Sequence, residues 1–554
     1  MQKQKPYPRF PIYLFFFLFL LTGFLTASDY GQPWDELDEM DILRANLWEY
    51  SAQLGLDQSA FKALAAQDTL AISPLAPISQ SIERDHGISA FYPLAGIVMD
   101  ASLPEHTRTL LWRLFCWALF TLGAWALYGC CLELSLPRWA GLLAALFLLL
   151  TPRFFAEGHY NNKDLVLMAL TLCTLWQSLR LLRKPTFPRA LWFAFFGALL
   201  CNTKVIGFAI WGLCALFVLL RQLAQHTLTK RVACVGATAF FALLGLYALL
   251  TPALWAAPKD FLSYVTTNAA AFGRWDSMLL FRGAVFQWSN SPLPWYYLPY
   301  MILATTPLWA LLMIGVGQLC ALSHIAHAGK RLFTNDRALS LALCTLLWLL
   351  PLGYAMLTRT KVYNGWRHFY FLYGPMLVLA AYGACAIVRA LRSRRALLRA
   401  FCALLALAML FTGIGICTQH PYQYAYYQPL LRLGGIAGTY ELDYWNVSLR
   451  NALNQLAAQV PNEPLPIRGS DYFTEVGLKR TLFAMPSEVA ERFTVAGWDQ
   501  PGVRYVLSNT NYAPYASFAP TASMRKTVSL SAYGEELCAV YEDTAAPANK
   551  EGLQ

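Results

Sequence analysis

The sequence predicts a polytopic α-helical membrane protein, and three observations carry that prediction. Its 554 residues are 57% hydrophobic and 14% charged, which is outside the usual range for a soluble globular protein. Eleven apolar stretches have or approach the roughly 20 residues that a helix needs to cross a bilayer. Lysine and arginine are unevenly divided between alternate connections, as expected for a membrane protein of fixed orientation.

The eleven predicted spans run through the first three quarters of the chain. They cover residues 10–28, 107–132, 138–151, 164–183, 189–202, 205–221, 232–251, 295–322, 338–357, 369–391 and 400–418. The third and fifth are short, which fits a tilted helix, a re-entrant segment or a helix supported by its neighbours. The first span, preceded by Lys3, Lys5 and Arg9, also fits a cleavable signal peptide. A retained helix is favoured, because Leu25-Thr26-Ala27 is a poor cleavage site and the apolar run is long.

The charge pattern predicts the orientation. One side of the eleven-span arrangement holds nineteen Lys and Arg in its short connections, and the other side holds nine. Positive residues in short loops favour the cytoplasm. We therefore expect an integral membrane protein with a cytoplasmic amino end and an external carboxyl end.

The sequence divides into three parts. Residues 1–418 are predicted to form the transmembrane domain, with a long first external loop at 29–106; residues 419–543 a small external α/β domain; and residues 544–554 a disordered tail. Within the loop, Met40 to Leu56 has a helical spacing of apolar residues, which fits a helix at the membrane interface or one packed on the protein itself. In the carboxyl domain we expect a helix at Val447 to Val460 and strands at Leu465 to Gly469, Val503 to Leu507 and Leu537 to Tyr541.

The net charge of +11 does not indicate a nucleic-acid partner. Residues 419–554 hold ten Lys or Arg and thirteen Asp or Glu, so the excess of positive charge lies in the membrane part, where it sets topology.

Four polar motifs on the external side stand out against the apolar background. They are Trp34-Asp35-Glu36, the stretch from Arg153 to Asp164, Asn202-Thr203-Lys204, and Tyr363 to Tyr370. Charges this close to the hydrocarbon boundary are costly, so they usually pair or bind a ligand. Two carboxylates just outside the first span are well placed to act as a base on a lipid-borne substrate.

Each motif also has a structural interpretation. Asp35 and Glu36 could belong to an ordinary solvated acidic run, since Asp38, Glu39 and Asp41 follow them. Lys163-Asp164 could cap the fourth span, with Asp164 at the positive end of the helix. Lys204 could be an interfacial anchor. Arg367 and His368 could stack on Trp366 and Tyr370.

The motifs together resemble the polyprenyl-phosphate-dependent membrane glycosyltransferases of the C-type (GT-C) superfamily. These are related to the dolichyl-phosphate-mannose protein mannosyltransferases and to the lipid A aminoarabinose transferase. The resemblance rests on the Asp-Glu after the first span, His159-Tyr-Asn-Asn-Lys-Asp164, Gly365 to Pro375, and the stretch from Pro421 to Trp445. It implies a GT-C-like fold of about eleven transmembrane helices. The region beyond residue 446 does not match the family's pattern, which leaves the acceptor open.

The resemblance also implies residue roles. The catalytic residues would be Asp35 as general base, Glu36 as its neighbour or alternate, and Asp164 as a second acid. The donor phosphate would be held by Lys204, Arg367, His368 and Arg153. The substrate would be contacted by His159, Asn161, Lys163, Trp366 and Tyr370.

The partners implied are a polyprenyl-phosphate sugar donor, membrane lipid and an acceptor that is a glycan, a lipid or a protein. No cofactor is expected. The three carboxylates Asp35, Glu36 and Asp164 could bind a divalent cation through oxygen ligands, but the related mannosyltransferases favour a metal-independent site.

Two other classes of function fit parts of the sequence. A transporter or lipid flippase would explain eleven spans without chemistry, although transporters usually place ionisable groups at the bilayer midplane. Here the polar motifs gather at one face, with Arg113 inside the second span as the main exception. A non-catalytic binding or assembly protein with an external domain is the second alternative.

Overall fold

The computed structural model describes residues 9–66, 74–270, 276, 278–461, 463–515 and 518–546. Of the tail that we expect to be disordered, residues 547–554 lie outside the described residues. The described chain consists of a helical bundle, helical and hairpin connections at one end of it, and a carboxyl-terminal sheet that rests on that same end.

Every predicted span is helical within the described chain. The helices of the bundle are Phe10–Thr26, Glu105–Glu133, Arg138–Leu149, Asp164–Arg183, Phe187–Thr203, Ile206–Ala224, Lys230–Leu250, Leu308–Ala328, Asp336–Thr358, Tyr373–Ala390 and Arg395–Thr418. Among the described residues, nine helical segments are long and apolar enough to cross a membrane. The polytopic membrane fold is thus confirmed, while the exact count of eleven is not.

The two short spans account for the difference in count. Arg138–Leu149 is followed by Pro152–Tyr160 at an angle of 75°, so this pair is either a broken span or a re-entrant segment. Phe187–Thr203 has 17 residues, which is at the lower limit of length for a span. The predicted span at 295–322 is also interrupted: Tyr297–Thr305 ends just before Pro307, whose missing N–H cannot continue the helical ladder.

The first connection forms a helix that packs on the protein. This helix, Trp34–Gln53, begins six residues before the predicted start at Met40. Asp35 and Glu36 lie in its first turn, where negative charge is favoured by the helix dipole. Its buried side chains include Met40, Leu43 and Trp48, so the packed alternative is the observed one.

The remaining connections on this side contain short elements. They are the helices Ser59–Ala65, Ala95–Met99, Pro252–Ala256 and Pro258–Ala270, and a hairpin of β1 (Met278–Phe281) and β2 (Ala284–Gln287). Phe281 in β1 also forms a bridge to Tyr440, which ties the hairpin to the start of the carboxyl-terminal region.

The carboxyl-terminal region folds as an α/β unit, as predicted. Its strands are β3 (Leu465–Gly469), β4 (Phe493–Ala496), β5 (Tyr505–Asn509), β6 (Met524–Ala532) and β7 (Glu535–Asp543), in the sheet order β4-β3-β5-β7-β6. β3 is parallel to β4 and β5, and β7 is antiparallel to β5 and β6. The main helices are Leu449–Gln459 and Tyr472–Phe483. β4 and β6 were not predicted, because β4 is very short and β6 is interrupted by Arg525, Lys526 and polar residues.

Candidate active site

Four ionisable side chains from distant parts of the sequence meet at the end of the bundle that carries the carboxyl-terminal region. They are Asp35, Asp164, Lys204 and Arg367. Each lies at or beside the end of a helix. Asp35 and Asp164 are in the first turns of the helices Trp34–Gln53 and Asp164–Arg183. Lys204 directly follows the helix Phe187–Thr203, and Arg367 is the first residue of a 3-10 helix. Helix ends from separate parts of the sequence therefore bring one residue of each polar motif into a single cluster.

Arg367 links the two aspartates. Its Nη1 donates to Asp35 Oδ2 at 2.8 Å and lies 3.8 Å from Asp164 Oδ2. The Arg367 side chain is 6% exposed, whereas the Asp35 side chain is 37% exposed. Asp35 is thus a carboxylate with one cationic partner and one side open to an approaching molecule.

Aromatic residues enclose the rest of the Arg367 guanidinium. Its Nη2 donates to the Tyr444 hydroxyl at 2.9 Å. Its carbon lies 4.7 Å from the centre of the Trp445 ring and 5.2 Å from that of Tyr363, distances typical of cation–π contacts. Both Tyr444 and Trp445 belong to the carboxyl-terminal region, so that region forms a wall of the site.

Asp164 is held more tightly than Asp35. It forms an ion pair with Lys204, and its backbone N–H donates to Asn161 Oδ1 at 2.8 Å. Its side chain is 3% exposed and that of Lys204 is 23% exposed. Asp164 therefore has less access to a substrate proton than Asp35, and it fixes the positions of the two cations.

Glu157 is a site residue to which the sequence prediction gave no role. It is fully buried and accepts hydrogen bonds from the Tyr370 hydroxyl, from Asn161 Nδ2 at 2.9 Å and from Trp445 Nε1 at 3.2 Å. It thereby connects the two long motifs to the carboxyl-terminal region. A sequence signal existed, since Glu157 lies inside the polar stretch from Arg153 to Asp164.

The backbone of the Tyr363 to Tyr370 motif depends on one glycine. Gly365 has a φ of +67°, in the left-handed region that residues with a Cβ rarely adopt. Its conformation turns the chain so that Trp366 is buried while Arg367 reaches the aspartates.

The structure places Glu36 apart from Asp35. Glu36 is fully buried and receives bonds from Arg113 Nε at 2.9 Å and Arg113 Nη2 at 2.7 Å, with Gln32 Nε2 at 3.1 Å. Arg113 also donates to the carbonyls of Tyr30 and Gly31, both at 2.7 Å. The arginine inside the second span thus holds the segment that leads into the Asp35 helix, and Glu36 is its counter-ion.

We expect Glu36→Gln to act on folding rather than on chemistry. Removing one partner of a buried ion pair typically costs about 3 to 5 kcal/mol, because the other charge stays buried without compensation. Thermal unfolding of the purified protein in detergent measures this, with Glu83→Gln as the control because Glu83 is only partly buried. A Glu36→Gln variant of parental stability that has lost its activity would instead assign Glu36 to the reaction.

Four other predicted binding residues lie in the protein interior. Arg153 donates to the Tyr426 carbonyl at 3.2 Å. His159 is within hydrogen-bond distance of Thr26 and stacks on Trp117. The Trp366 indole donates to Thr305 at 2.9 Å, and Tyr370 bonds Glu157. All four residues are at most 1% exposed, and their contacts join separate parts of the fold.

Three remaining predicted residues lie within three positions of Asp164 or Arg367 in the sequence. His368 is partly exposed, and its ring contacts that of Tyr363 at 4.4 Å between centres with a tilt of 55°. Asn161 orients Asp164, as described above. Lys163 is 9% exposed, and its Nζ has no hydrogen-bond acceptor among the described residues.

Two buried carboxyl groups lie close together in the sequence of the carboxyl-terminal region: Glu441 bonds to the rest of the protein, and Asp443 bonds within the region. Burial raises the pKa of Glu441 to about 7, although bonds from Asn364 and from the Leu280 amide oppose the shift. Burial likewise raises the pKa of Asp443 to about 6 against bonds from the amides of Val447 and Ser448. Glu441 therefore ties the β1–β2 hairpin to the motif that contains Arg367.

The described residues include no group of three or more His, Cys, Asp or Glu side chains arranged to hold a metal ion. In the cluster itself, each aspartate already has a cationic partner, Arg367 or Lys204.

Comparison with known proteins gives one family match and several similar structures. The sequence model of the family described as dolichyl-phosphate-mannose-protein mannosyltransferase matches residues 103–250. No curated protein sequence gives a significant match.

Among solved structures, ArnT from Cupriavidus metallidurans bound to undecaprenyl phosphate is 14% identical, with coverage of 98% of this chain and 99% of ArnT and a TM-score of 0.44. The apo state of the same protein is 13% identical, with coverages of 97% and 99% and a TM-score of 0.44. The arabinofuranosyltransferase AftD from Mycobacteria is 13% identical, with coverages of 98% and 42% and a TM-score of 0.41.

The matched residues 103–250 contain the polar stretch from Arg153 to Asp164 and the Lys204 motif. Over this segment the chain is similar to the dolichyl-phosphate-mannose-protein mannosyltransferase family, which confirms the resemblance to lipid-phosphate-dependent membrane glycosyltransferases.

Proposed function

We propose that this protein is a glycosyltransferase that moves a sugar from a polyprenyl-phosphate donor to an acceptor hydroxyl at the membrane surface, with inversion at the anomeric carbon. The observation that carries the proposal is the bridge from Arg367 to both Asp35 and Asp164. It joins an accessible carboxylate, a second fixed carboxylate and two cations at the mouth of a membrane bundle.

The proposed chemistry assigns one task to each group. Asp35 accepts the proton of the acceptor hydroxyl as that oxygen bonds the anomeric carbon. The bond between the anomeric carbon and the phosphate oxygen breaks, and polyprenyl phosphate leaves with the electron pair. Cations near the phosphate stabilise the charge that develops on it. An open carboxylate on the face opposite the leaving group is what an inverting displacement requires.

Unpaired buried donors support an anionic ligand. Lys163 Nζ, Asn162 Nδ2 and Arg367 Nε are buried and have no acceptor within the part of the chain that the structure describes. Buried donors are usually hydrogen-bonded, and each one left unpaired costs about 1 to 3 kcal/mol. A phosphodiester supplies acceptor oxygens and one negative charge. The negative charges of Asp35 and Asp164 balance the positive charges of Arg367 and Lys204. The positive charge of Lys163 is then left to pair with the phosphate.

We predict that Lys163→Met weakens the binding of undecaprenyl phosphate by about tenfold, since it removes a charge-assisted contact. The same change should leave thermal stability equal or higher, because a buried ammonium without a partner destabilises the folded state. Native mass spectrometry of the protein with undecaprenyl phosphate measures the binding. Lys361→Met, which removes an exposed lysine on the same side, is the control; equal binding by Lys163→Met and the parent contradicts this assignment.

The position of the ionisable groups favours a transferase over a transporter. In the described chain the cluster lies at the helix ends on one side of the bundle, where a lipid head group and an acceptor hydroxyl can meet. We further propose that this is the external side of the bacterial inner membrane, because the opposite connections hold most of the positive charge. A topology reporter fused after residue 445 that is active in the cytoplasm contradicts that orientation.

The proposed function is tested in cells by deleting the gene and comparing envelope glycans and lipids with the parent by mass spectrometry. We expect one glycan, glycolipid or glycoprotein to lose a single sugar, and the polyprenyl-phosphate form of that sugar to accumulate. Complementation by the parental gene should restore the sugar and complementation by Asp35→Asn should not. Unchanged glycans and unchanged lipid-linked sugars in the deletion strain contradict the proposal.

A further inference from the structure

We propose that the carboxyl-terminal region acts as a clamp that positions the helical turn carrying Asp35, through Arg480 and Tyr512. This inference rests on the proposed function and extends it, because it assigns a task in the reaction to residues beyond 446. We call the two contacts the clamp: Arg480 with Trp34 and Asp38, and Tyr512 with Trp34 and Tyr444.

The Arg480 contact is bidentate and buried. Arg480 lies on the helix Tyr472–Phe483 and is 2% exposed. Its Nη1 and Nη2 donate to the two carboxylate oxygens of Asp38 at 2.9 and 3.0 Å, and Nη1 also bonds the Trp34 carbonyl. Such paired bonds fix geometry as well as adding energy. Trp34 and Asp38 lie on either side of Asp35 in the sequence, so the contact holds the turn that presents the carboxylate.

The Tyr512 contact connects this turn to the environment of Arg367. The Trp34 indole donates to the Tyr512 hydroxyl at 2.6 Å, and that hydroxyl donates to the Tyr444 carbonyl at 2.7 Å. Tyr444 in turn accepts from Arg367. The Tyr512 ring stacks on Phe473 with 5.4 Å between centres, so the hydroxyl is held by packing. One tyrosine therefore sets the distance between the Asp35 turn and the segment that holds its arginine.

The position of the clamp explains why it matters for Asp35 in particular. The Asp35 side chain is more than a third exposed, and its ion-pair partner is Arg367. An exposed side chain is kept in a reactive position by the backbone on which it sits. A displacement of about 1 Å at a reacting group can cost about a hundredfold in rate. In the part of the chain that the structure describes, the bonds given for Arg480 and Tyr512 reach neither Asp35 nor Asp164, so we assign both as positioning residues.

The test uses the full-length protein in detergent, with lipid-linked sugars extracted from parental membranes as donor and release of polyprenyl phosphate as the readout. Tyr512→Phe keeps the ring and removes the hydroxyl, and we expect kcat to fall about two- to tenfold with donor KM unchanged. Arg480→Ala should cost about ten- to a hundredfold, and Arg480→Lys should recover part of that loss. Tyr422→Phe is the matched control, because its hydroxyl bonds Asn451 inside the carboxyl-terminal region and does not contact the Asp35 turn.

A purely structural role is distinguished by relating each rate to the amount of folded protein, measured by size-exclusion chromatography. If the clamp positions Asp35, kcat per folded molecule falls while donor KM stays at the parental value, and Arg480→Lys recovers part of the loss. Simple unfolding lowers the amount of active protein but leaves kcat per folded molecule at the parental value. Parental kcat per folded molecule in Tyr512→Phe and Arg480→Ala therefore overturns the clamp. A parental protein that releases no polyprenyl phosphate instead overturns the proposed function.

Discussion

Replacing Asp35 by Asn is expected to lower turnover by about 10²- to 10⁴-fold, the range typical of general-base removal. Asparagine keeps the size of the side chain and can still accept a hydrogen bond from Arg367, but it cannot take the acceptor's proton. The loss should therefore appear in kcat, with undecaprenyl phosphate binding near the parental value. Turnover and binding are measured on the same preparations of protein.

Asp41→Asn is the control for this substitution, because Asp41 lies on the same helix and its partner is Arg44. Its turnover should stay within about twofold of the parent. If Asp35→Asn transfers sugar at the parental rate, Asp35 is not the base. If Glu36→Gln shows the larger loss in kcat at unchanged stability, the wrong carboxylate has been chosen.

Arg367→Ala is expected to lower kcat/KM for the donor by at least about ten- to a hundredfold. One charge-assisted contact is worth about 1.5 to 3 kcal/mol. The guanidinium also separates Asp35 from Asp164, so its loss leaves two like charges facing each other. Arg367→Lys should recover only part of the activity, because an ammonium cannot hold Asp35, Asp164 and Tyr444 in the geometry of a planar guanidinium.

The kinetic measurement on Arg367→Ala needs a control of the same charge change. Arg359→Ala removes an exposed arginine at the end of the helix Asp336–Thr358, on the same side of the membrane. It should leave donor kinetics unchanged. If Arg367→Ala and Arg359→Ala have equal donor kinetics, Arg367 does not bind the donor, and its role is the structural one of a cation stacked on aromatic rings.

Much of the fold could be predicted because membrane spans have a strong local signal. Apolar length located every helix of the bundle, and the strand Leu465–Gly469 is predicted to the residue. The helix that carries Asp35 is predicted to begin at Met40 but begins at Trp34, because the prediction followed the apolar spacing, which starts only after the acidic residues. Asp35 and Glu36 lie in the first helical turn, where the helix dipole favours negative charge.

The site could be predicted only in part, because its contacts join residues far apart in the sequence. The motifs identified Asp35, Asp164, Lys204 and Arg367, and the bundle brings these four together. The sequence could not indicate that Glu36 pairs with Arg113, since two adjacent carboxylates have the same local pattern and opposite burial. Nor could it indicate the clamp, because the bonds of Arg480 and Tyr512 to the Asp35 turn depend on how a separate α/β unit docks on the bundle.

The central claim is that the Asp35 and Arg367 site transfers sugar from a lipid phosphate. It is tested most directly by incubating purified protein with polyprenyl-phosphate sugars extracted from parental membranes, together with deletion-strain envelope material as acceptor. Mass spectrometry then counts the polyprenyl phosphate released and the sugar gained by the acceptor. We expect equal amounts of both with the parental protein, and a loss of both of about a hundredfold or more with Asp35→Asn. No release by the parental protein, or equal release by the parent and Asp35→Asn, would contradict the claim.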